Sequence, residues 1–397
     1  MAVILPHAAW MDRPGLEELA VALGEAEGDA RYVGGAVRDT LIGLDVADID
    51  VATIHPPVDV VRRLEAAGIK AVPTGIAHGT VTAVTRGTVV EVTTLRRDVT
   101  TDGRHAEVAF TDDWQADAAR RDFTINALYA DMTGGAVHDY FGGINDLAAA
   151  RVRFIGDPLR RIAEDHLRIL RFFRFLARFG DTPDPDGLEA CIARANDLMA
   201  LSRERIADEL LKLIVARGAV PIVRQMVEGG IFRPVLPEID AAATDRLAAL
   251  AEAEAAIGIP PDPVRRLAAL LPPTQADGVA ARLKLSNAQR KRIAAALGTD
   301  DPQSPHALGY RIGTEGAIDR LLLAGASEAA ATLLGWERPA LPLSGGALVE
   351  RGLARGPDVA RALRAVENRW IAEGFPDAAR TAVIADETVD QLLRVTR

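Results

Sequence analysis

The sequence predicts an α+β protein: a head built on a small mixed sheet with helices, then a neck, body and tail that are all helical. Three observations carry that expectation. Short β-branched runs alternate with helical patterns through the first third of the chain. Beyond Arg151–Ile155, which reads as a last strand, Ala- and Leu-rich helical periodicity runs almost to the end, broken at Pro260-Pro261-Asp262-Pro263 and Pro272-Pro273. The 397 residues, nearly half of them apolar, suffice for two to four domains with a substantial core. The expected boundaries are a head over 1–145, a neck over 146–216, and a body and tail over 217–397.

The elements follow in order. Arg31–Val33 reads as a strand, Gly34-Gly35 as a turn, Ala36–Ile42 as a helix and Ile49–Thr53 as a second strand. Val58–Ala67 is helical in pattern; Lys70–Pro73, Thr80–Thr85 and Val89–Thr94 are β-like, and Arg86-Gly87-Thr88 marks a tight hairpin. From Arg97 to Trp114 the chain is polar and irregular, which predicts a long loop. Asp122 suits a helix N-cap with Arg120 and Arg121 ahead of it, and Gly142-Gly143 suits a turn between apolar anchors. Pro158 fits the first turn of a helix carrying Asp165 through Arg174, and Ser202 caps an amphipathic helix reaching Leu213.

Composition narrows the function classes. No apolar run approaches the roughly eighteen residues of a membrane span. The opening residues lack a basic leader and a small-residue cleavage site, so no signal peptide is expected. A single cysteine, Cys191, excludes an intramolecular disulfide and a cysteine-based zinc site, and a cytoplasmic protein is the expectation. The net charge of −10 permits RNA binding only if positive charge is concentrated. Arg151, Arg153, Arg160, Arg161, Arg168, Arg171, Arg174 and Arg178 supply such a concentration, although a solvated helix face reads the same way.

The chemistry is carried by spacing. Gly34 and Gly35 lack a Cβ, so their backbone N–H groups can approach a polyphosphate, and Arg38 adds a fork of donors suited to phosphate oxygens. Asp48 and Asp50, two apart on a strand, point the same way and can share divalent metal ions. Glu91 sits in the apolar run Val89–Thr94, where a carboxylate is either on the wet face of the sheet or a third acid of the site, able to bind metal or accept a proton.

Asp165 and Arg168 allow two readings: an i,i+3 ion pair on a surface helix, or a base reader. Cytosine presents its N4 amine beside the N3 acceptor, and adenine its N6 amine beside N1. A carboxylate with a guanidinium matches both and mismatches uracil and guanine, so one such pair selects C and A without a nucleic-acid template. Arg171 continues that face, whereas Arg174 is rotated by about half a turn at ~100° per residue.

Gly-Gly-x-x-Arg-Asp followed by Asp-x-Asp resembles the signature of the polymerase-β-like nucleotidyltransferases, and within them the class II tRNA nucleotidyltransferases and bacterial poly(A) polymerases. Arg120-Arg121-Asp122-Phe123-Thr124-Ile125-Asn126-Ala127, Glu164-Asp165-His166-Leu167-Arg168 and the helix after Ser202 resemble further motifs in the same order. The resemblance implies a polymerase-β-like head and addition of C, C and A to the 3′ end of tRNA from CTP and ATP with Mg²⁺. It puts Asp48 and Asp50 on metal and Glu91 beside them. It puts Gly34, Gly35, Arg38, Arg120, Arg121, Asp165, Arg168, Arg171 and Arg174 around the nucleotide. The stretch after Arg97 would help the switch from C to A, and a tail including Arg351, Arg355, Arg361, Arg364 and Arg369 would support tRNA. A poly(A) polymerase, a specialist adding only CC or only A, and a non-catalytic RNA-binding regulator are the alternatives.

Overall fold

In the computed structural model, residues 3–101, 106–180, 182–299 and 304–395 are described. The chain divides into two compact units, Met1–Pro237 and Glu238–Arg397.

The first unit holds a seven-stranded sheet in the order β3-β4-β5-β2-β1-β8-β9. Its strands are β1 Ala30–Val33, β2 Ile49–Thr53, β3 Lys70–Gly75, β4 Thr80–Thr85, β5 Thr88–Thr94, β8 Leu128–Asp131 and β9 Val137–Asp139. β6 Arg96–Thr101 and β7 Ala106–Phe110 form a separate antiparallel hairpin. The polar stretch after Arg97 is therefore strand-paired and not the irregular loop expected; residues 102–105 lie outside the described residues. Ladder hydrogen bonds need backbone groups, not apolar side chains, which is why composition misread it. Among the described residues, Arg151–Val152 pairs only with Thr182–Pro183, in parallel, and is no strand of the main sheet.

Helices α1 Leu16–Ala22, α2 Gly35–Leu41 and α3 Pro57–Ala66 cover one face of the sheet. There Leu19, Leu23, Val37 and Leu64 meet Ile49, Val51, Val90 and Val92 in one buried core. Alternation along β2 and β5 then turns Asp50 and Glu91 to the opposite face, which carries a smaller cluster around Val33, Ala52, Leu95 and Tyr129. Between β4 and β5, Arg86 (φ 45) and Gly87 (φ 89) both take positive φ, as a two-residue turn matching strand twist requires.

The helices that follow are α4 Trp114–Ala119, α5 Gly143–Ala148, α6 Pro158–Glu164, α7 Arg168–Phe179, α8 Pro185–Ala193, α9 Arg203–Ile214 and α10 Ala219–Glu228. The helix expected to run through Asp165 is broken there: Asp165 is extended (φ −151, ψ 107) and ends α6. Its carboxylate accepts from the Leu167 N–H at 3.1 Å, offering the backbone a partner in place of the helical one. Asp122 likewise caps no α-helix; it precedes a single 3₁₀ turn, Thr124–Asn126. Phe123 anchors that turn against Phe154 and Phe175, at centroid distances of 4.9 and 5.3 Å, so α7 and the segment containing Asp122 are locked in register.

The second unit is helical, from α11 Ala241–Ala256 to a final helix Ala378–Val395. Inside it Arg265 bridges Glu254 and Asp319, both at 2.8 Å. Of the tail arginines singled out from sequence, Arg351, Arg361 and Arg369 are ion-paired with Asp386, Asp358 and Glu373.

Candidate active site

Asp50 lines two cavities. The first, about 360 Å³, is bounded by Gly34, Gly35 and Arg38 from the β1–α2 turn and by Asp165, Arg168 and Arg171 from the α6–α7 junction. Arg121, Asp122, Asn126 and Phe175 complete its wall. The second, about 720 Å³, is lined by Arg13, Ala47, Asp48, Gly87, Val89 and Glu91 among others.

The turn is shaped for close approach. Gly34 has φ 66 and ψ −117, a combination open essentially to glycine alone. A Cβ on Gly35 would point toward Arg38, its nearest atom 3.8 Å away, so the turn could accept that carbon but the cavity would be partly filled. Arg38 is buried and held from three sides. Its Nε donates to Asp39 at 2.7 Å, its Nη1 donates to the Asn126 side-chain oxygen, and its guanidinium lies 4.2 Å over the Phe179 ring.

β2 and β5 run in parallel with Asp50 opposite Glu91; Asp48, expected on the same strand, instead ends the irregular connection just ahead of β2 and lines the second cavity with both. Burial first, and then Glu91, push the Asp50 carboxyl up to about 6, with Arg121 opposing and Asp48 adding. That is the signature of negative charge short of a counter-ion. Oxygen donors of this kind suit a hard divalent cation. Among the described residues no three His, Cys, Asp or Glu side chains close into a ready-made metal site. Mg²⁺ is commonly bound through one or two carboxylates with substrate phosphates completing its shell, and these residues fit that pattern.

Asp165 and Arg168 share the first cavity without pairing to one another. Asp165 accepts from Arg205 of α9 at 3.1 and 3.2 Å. Arg168 donates to Glu164 at 2.7 Å and to the Arg161 and Arg120 carbonyls at 2.8 and 3.1 Å. The expected solvated arginine face is instead a half-buried, paired stripe: Arg171 on Asp122 at 2.7 Å, Arg174 on Glu209 at 2.9 Å and Arg178 on Asp39 at 3.1 Å. Arg174 and Arg120 do not line the cavity. Arg120 is drawn onto one oxygen of Asp117 and Arg121 onto the other, which also accepts from Tyr129 at 2.7 Å. Burial alone would raise the Asp117 carboxyl, yet Arg121 and Arg120 overturn it and hold it at about 2.

Sequence reasoning did not single out Asn126, Phe175, Asp117 or Arg205. Asp122 was read only as a cap, yet it joins the two walls: it holds Arg171, and accepts from the Asn126 amide at 2.9 Å while that amide's oxygen holds Arg38. The short word Arg-Arg-Asp-Phe-Thr-Ile-Asn carried the signal, but its partners lie far off in sequence.

The pattern described as poly A polymerase head domain matches residues 30–153, and that described as probable RNA and SrmB-binding site of polymerase A matches 182–243. The mitochondrial CCA tRNA nucleotidyltransferase 1 of Homo sapiens is 35% identical over 383 residues, 91% of this chain and 87% of that protein. The CCA-adding enzyme of Levilactobacillus brevis is 37% identical over 231 residues, 58% of this chain and 56% of its own. Among solved structures, the Bacillus stearothermophilus CCA-adding enzyme in complex with CTP superposes with a TM-score of 0.76 at 26% identity, covering 96% of this chain and 100% of that one. With a head, a charge-lined cavity and a relative of this extent in common, the chain belongs to the CCA tRNA nucleotidyltransferase family.

Proposed function

We propose that this nucleotidyltransferase adds C, C and A to the 3′ end of tRNA from CTP and ATP, with the first cavity holding the incoming nucleotide. One observation carries the reading: a phosphate cradle, a charge-starved carboxylate and the Asp165/Arg168 pair all face a single cavity of about 360 Å³. That volume is within the range of small-ligand sites.

The nucleotide's triphosphate rests on the Gly34–Gly35 backbone and the Arg38 fork, with Arg121 beside it. Mg²⁺, when bound by Asp48 and Asp50, supplies the charge neutralisation that brings two anions together and eases loss of the 3′-hydroxyl proton. The 3′-oxygen of the RNA forms a bond to the α-phosphorus, the bond to the bridging β-oxygen breaks, and pyrophosphate leaves. Glu91, opposite Asp50, is positioned to take up the hydroxyl proton.

Base choice falls to Asp165 and Arg168. Asp165 accepts from the amino group of cytosine or adenine, and Arg168 donates to the neighbouring ring nitrogen. To do so Asp165 exchanges Arg205, and Arg168 exchanges Glu164, for the base. A bidentate pair of this type discriminates by ~1–3 kcal/mol. Arg171 lines the cavity beside them, and Arg120 and Arg174 act from behind: Arg120 presents the carbonyl that orients Arg168, and Arg174 shares Glu209 with Arg171. The head, neck and body boundaries at 145 and 216 belong to the same reading, as does a cytoplasmic site of action. No helix among the described residues is long and apolar enough to cross a membrane.

The test is extension of a tRNA transcript ending at its discriminator base. Growth by two with CTP and by three with CTP and ATP, then arrest, is expected. A long ladder with ATP alone would make the protein a poly(A) polymerase.

A further inference from the structure

The N-terminal segment ahead of β1 touches α2, the connection ahead of β2, and β5, and it precedes the matched head pattern, which begins at residue 30. Trp10, buried, donates its indole N–H to Thr40 of α2 at 2.9 Å, two residues from Arg38. Arg13 donates through Nη2 to the Val46 carbonyl at 2.9 Å and through Nη1 to the Ala47 carbonyl at 3.2 Å. Those are the last two carbonyls before Asp48. The Pro14 carbonyl accepts from Thr88 of β5 at 2.8 Å, on the strand that carries Glu91. Gly15 closes the brace: at φ 89, any Cβ there would fall 2.1 Å from the Thr85 hydroxyl.

We infer that Arg13 is a positioning residue of the transfer site, its two-pronged grip on the Val46 and Ala47 carbonyls setting where Asp48 stands relative to Asp50 and Glu91. Two features argue for more than a surface contact. Residues 42–48 connect α2 to β2 without regular structure, and Asp48 is exposed, so the backbone ahead of it has no ladder to fix it. Arg13 is also the cation among the residues lining the acidic cavity, with Asp48, Asp50 and Glu91. A guanidinium can hold two successive carbonyls at once because its donors form a rigid fork; an ammonium cannot reproduce that geometry.

The inference rests on the proposed nucleotidyl transfer, and the experiment separates the two. Wild type, Arg13→Gln and Arg13→Lys are compared in single-turnover CMP addition to a tRNA transcript across a Mg²⁺ titration. Mn²⁺ binding to protein with CTP is followed by electron paramagnetic resonance, and thermal midpoints are recorded. Both variants should keep the wild-type midpoint and half-saturating CTP. Both should lose about tenfold in rate at limiting Mg²⁺, ~1.4 kcal/mol of barrier, and bind Mn²⁺ more weakly by a similar factor. Arg13→Lys behaving as wild type would overturn the inference, because charge alone would then suffice. Tighter Mn²⁺ binding in Arg13→Gln would overturn it too, since Arg13 would be a competing cation. A fall in midpoint with unchanged metal dependence would make Arg13 merely structural. Wild-type protein that adds no C would instead overturn the proposed activity, and this inference with it.

Discussion

Removing the charge of Asp122 tests whether the two walls of the nucleotide cavity are joined as described. Asp122 is buried and accepts from Arg171, from the Asn126 amide at 2.9 Å and from the Phe123 N–H at 2.8 Å. Asp122→Asn keeps the shape and the acceptor for Asn126, but Arg171 loses its charged partner, and its next carboxylate, Glu209, is 3.8 Å away. A charge-assisted bond is worth ~1.5–3 kcal/mol. Arg171 is about a third exposed, so water recovers part of that, and a loss of ~2 kcal/mol follows for Asp122→Asn. Asp122→Ala also orphans the Asn126 amide and the Phe123 N–H, which brings the loss to ~3–5 kcal/mol. Equilibrium urea unfolding measures both. Because Arg171 lines the cavity, half-saturating CTP should rise about tenfold in Asp122→Asn, ~1.4 kcal/mol of binding. An alanine variant within 1 kcal/mol of wild type would refute the linkage, as would an asparagine variant with unaltered CTP dependence.

Three further outcomes follow from the site. The Asp117 carboxyl sits at about 2 in the folded protein against 3.8 for its ordinary value, so between those limits the unfolded chain binds the extra proton and stability rises with pH. That contribution, ~2 kcal/mol, is complete above pH ~4 and vanishes as pH falls through ~2; acid unfolding of Asp117→Asn should lack this slope while starting from a lower plateau. Gly35→Ala should fold with near-normal stability yet bind CTP weakly, whereas Gly34→Ala, forced into a glycine-only backbone region, should lose ~1–3 kcal/mol of stability as well. Equal stability for the two alanine variants would contradict the reading of that turn. Glu91→Gln should lower kcat by about 10²-fold or more with half-saturating CTP unchanged, and an unaltered kcat would return Glu91 to the wet face as a bystander.

Much of the head was legible because its strands are short, β-branched and punctuated by glycine. β1, β2, β4 and β5 and helices α2 and α3 are found within a residue or so of their expected places. β6 was missed because its residues are polar, β7 because its short run was read into the same loop, and β8 because Leu128–Asp131 follows an apolar word that reads as helix. The break at Asp165 carries no proline or glycine to announce it. Asp48, Asp50, Gly34, Gly35 and Arg38 were legible as local spacing, whereas the pairings that aim Arg171 and Arg38 span 49 and 88 residues and leave no periodic trace. Arg13 was invisible for the same reason: its partners are backbone carbonyls, which no sequence pattern names.

The central claim is that protein side chains facing one cavity, not a nucleic-acid template, choose the base. Calorimetric titration of the RNA-free protein with CTP, ATP, UTP and GTP in Mg²⁺ tests it most directly. CTP and ATP should each bind one site per chain and displace one another, with UTP and GTP weaker by about tenfold or more, ~1.4 kcal/mol. Asp165→Ala should erase that gap. Equal binding of all four nucleotides to the wild-type protein, or CTP and ATP binding together without competition, would contradict the account.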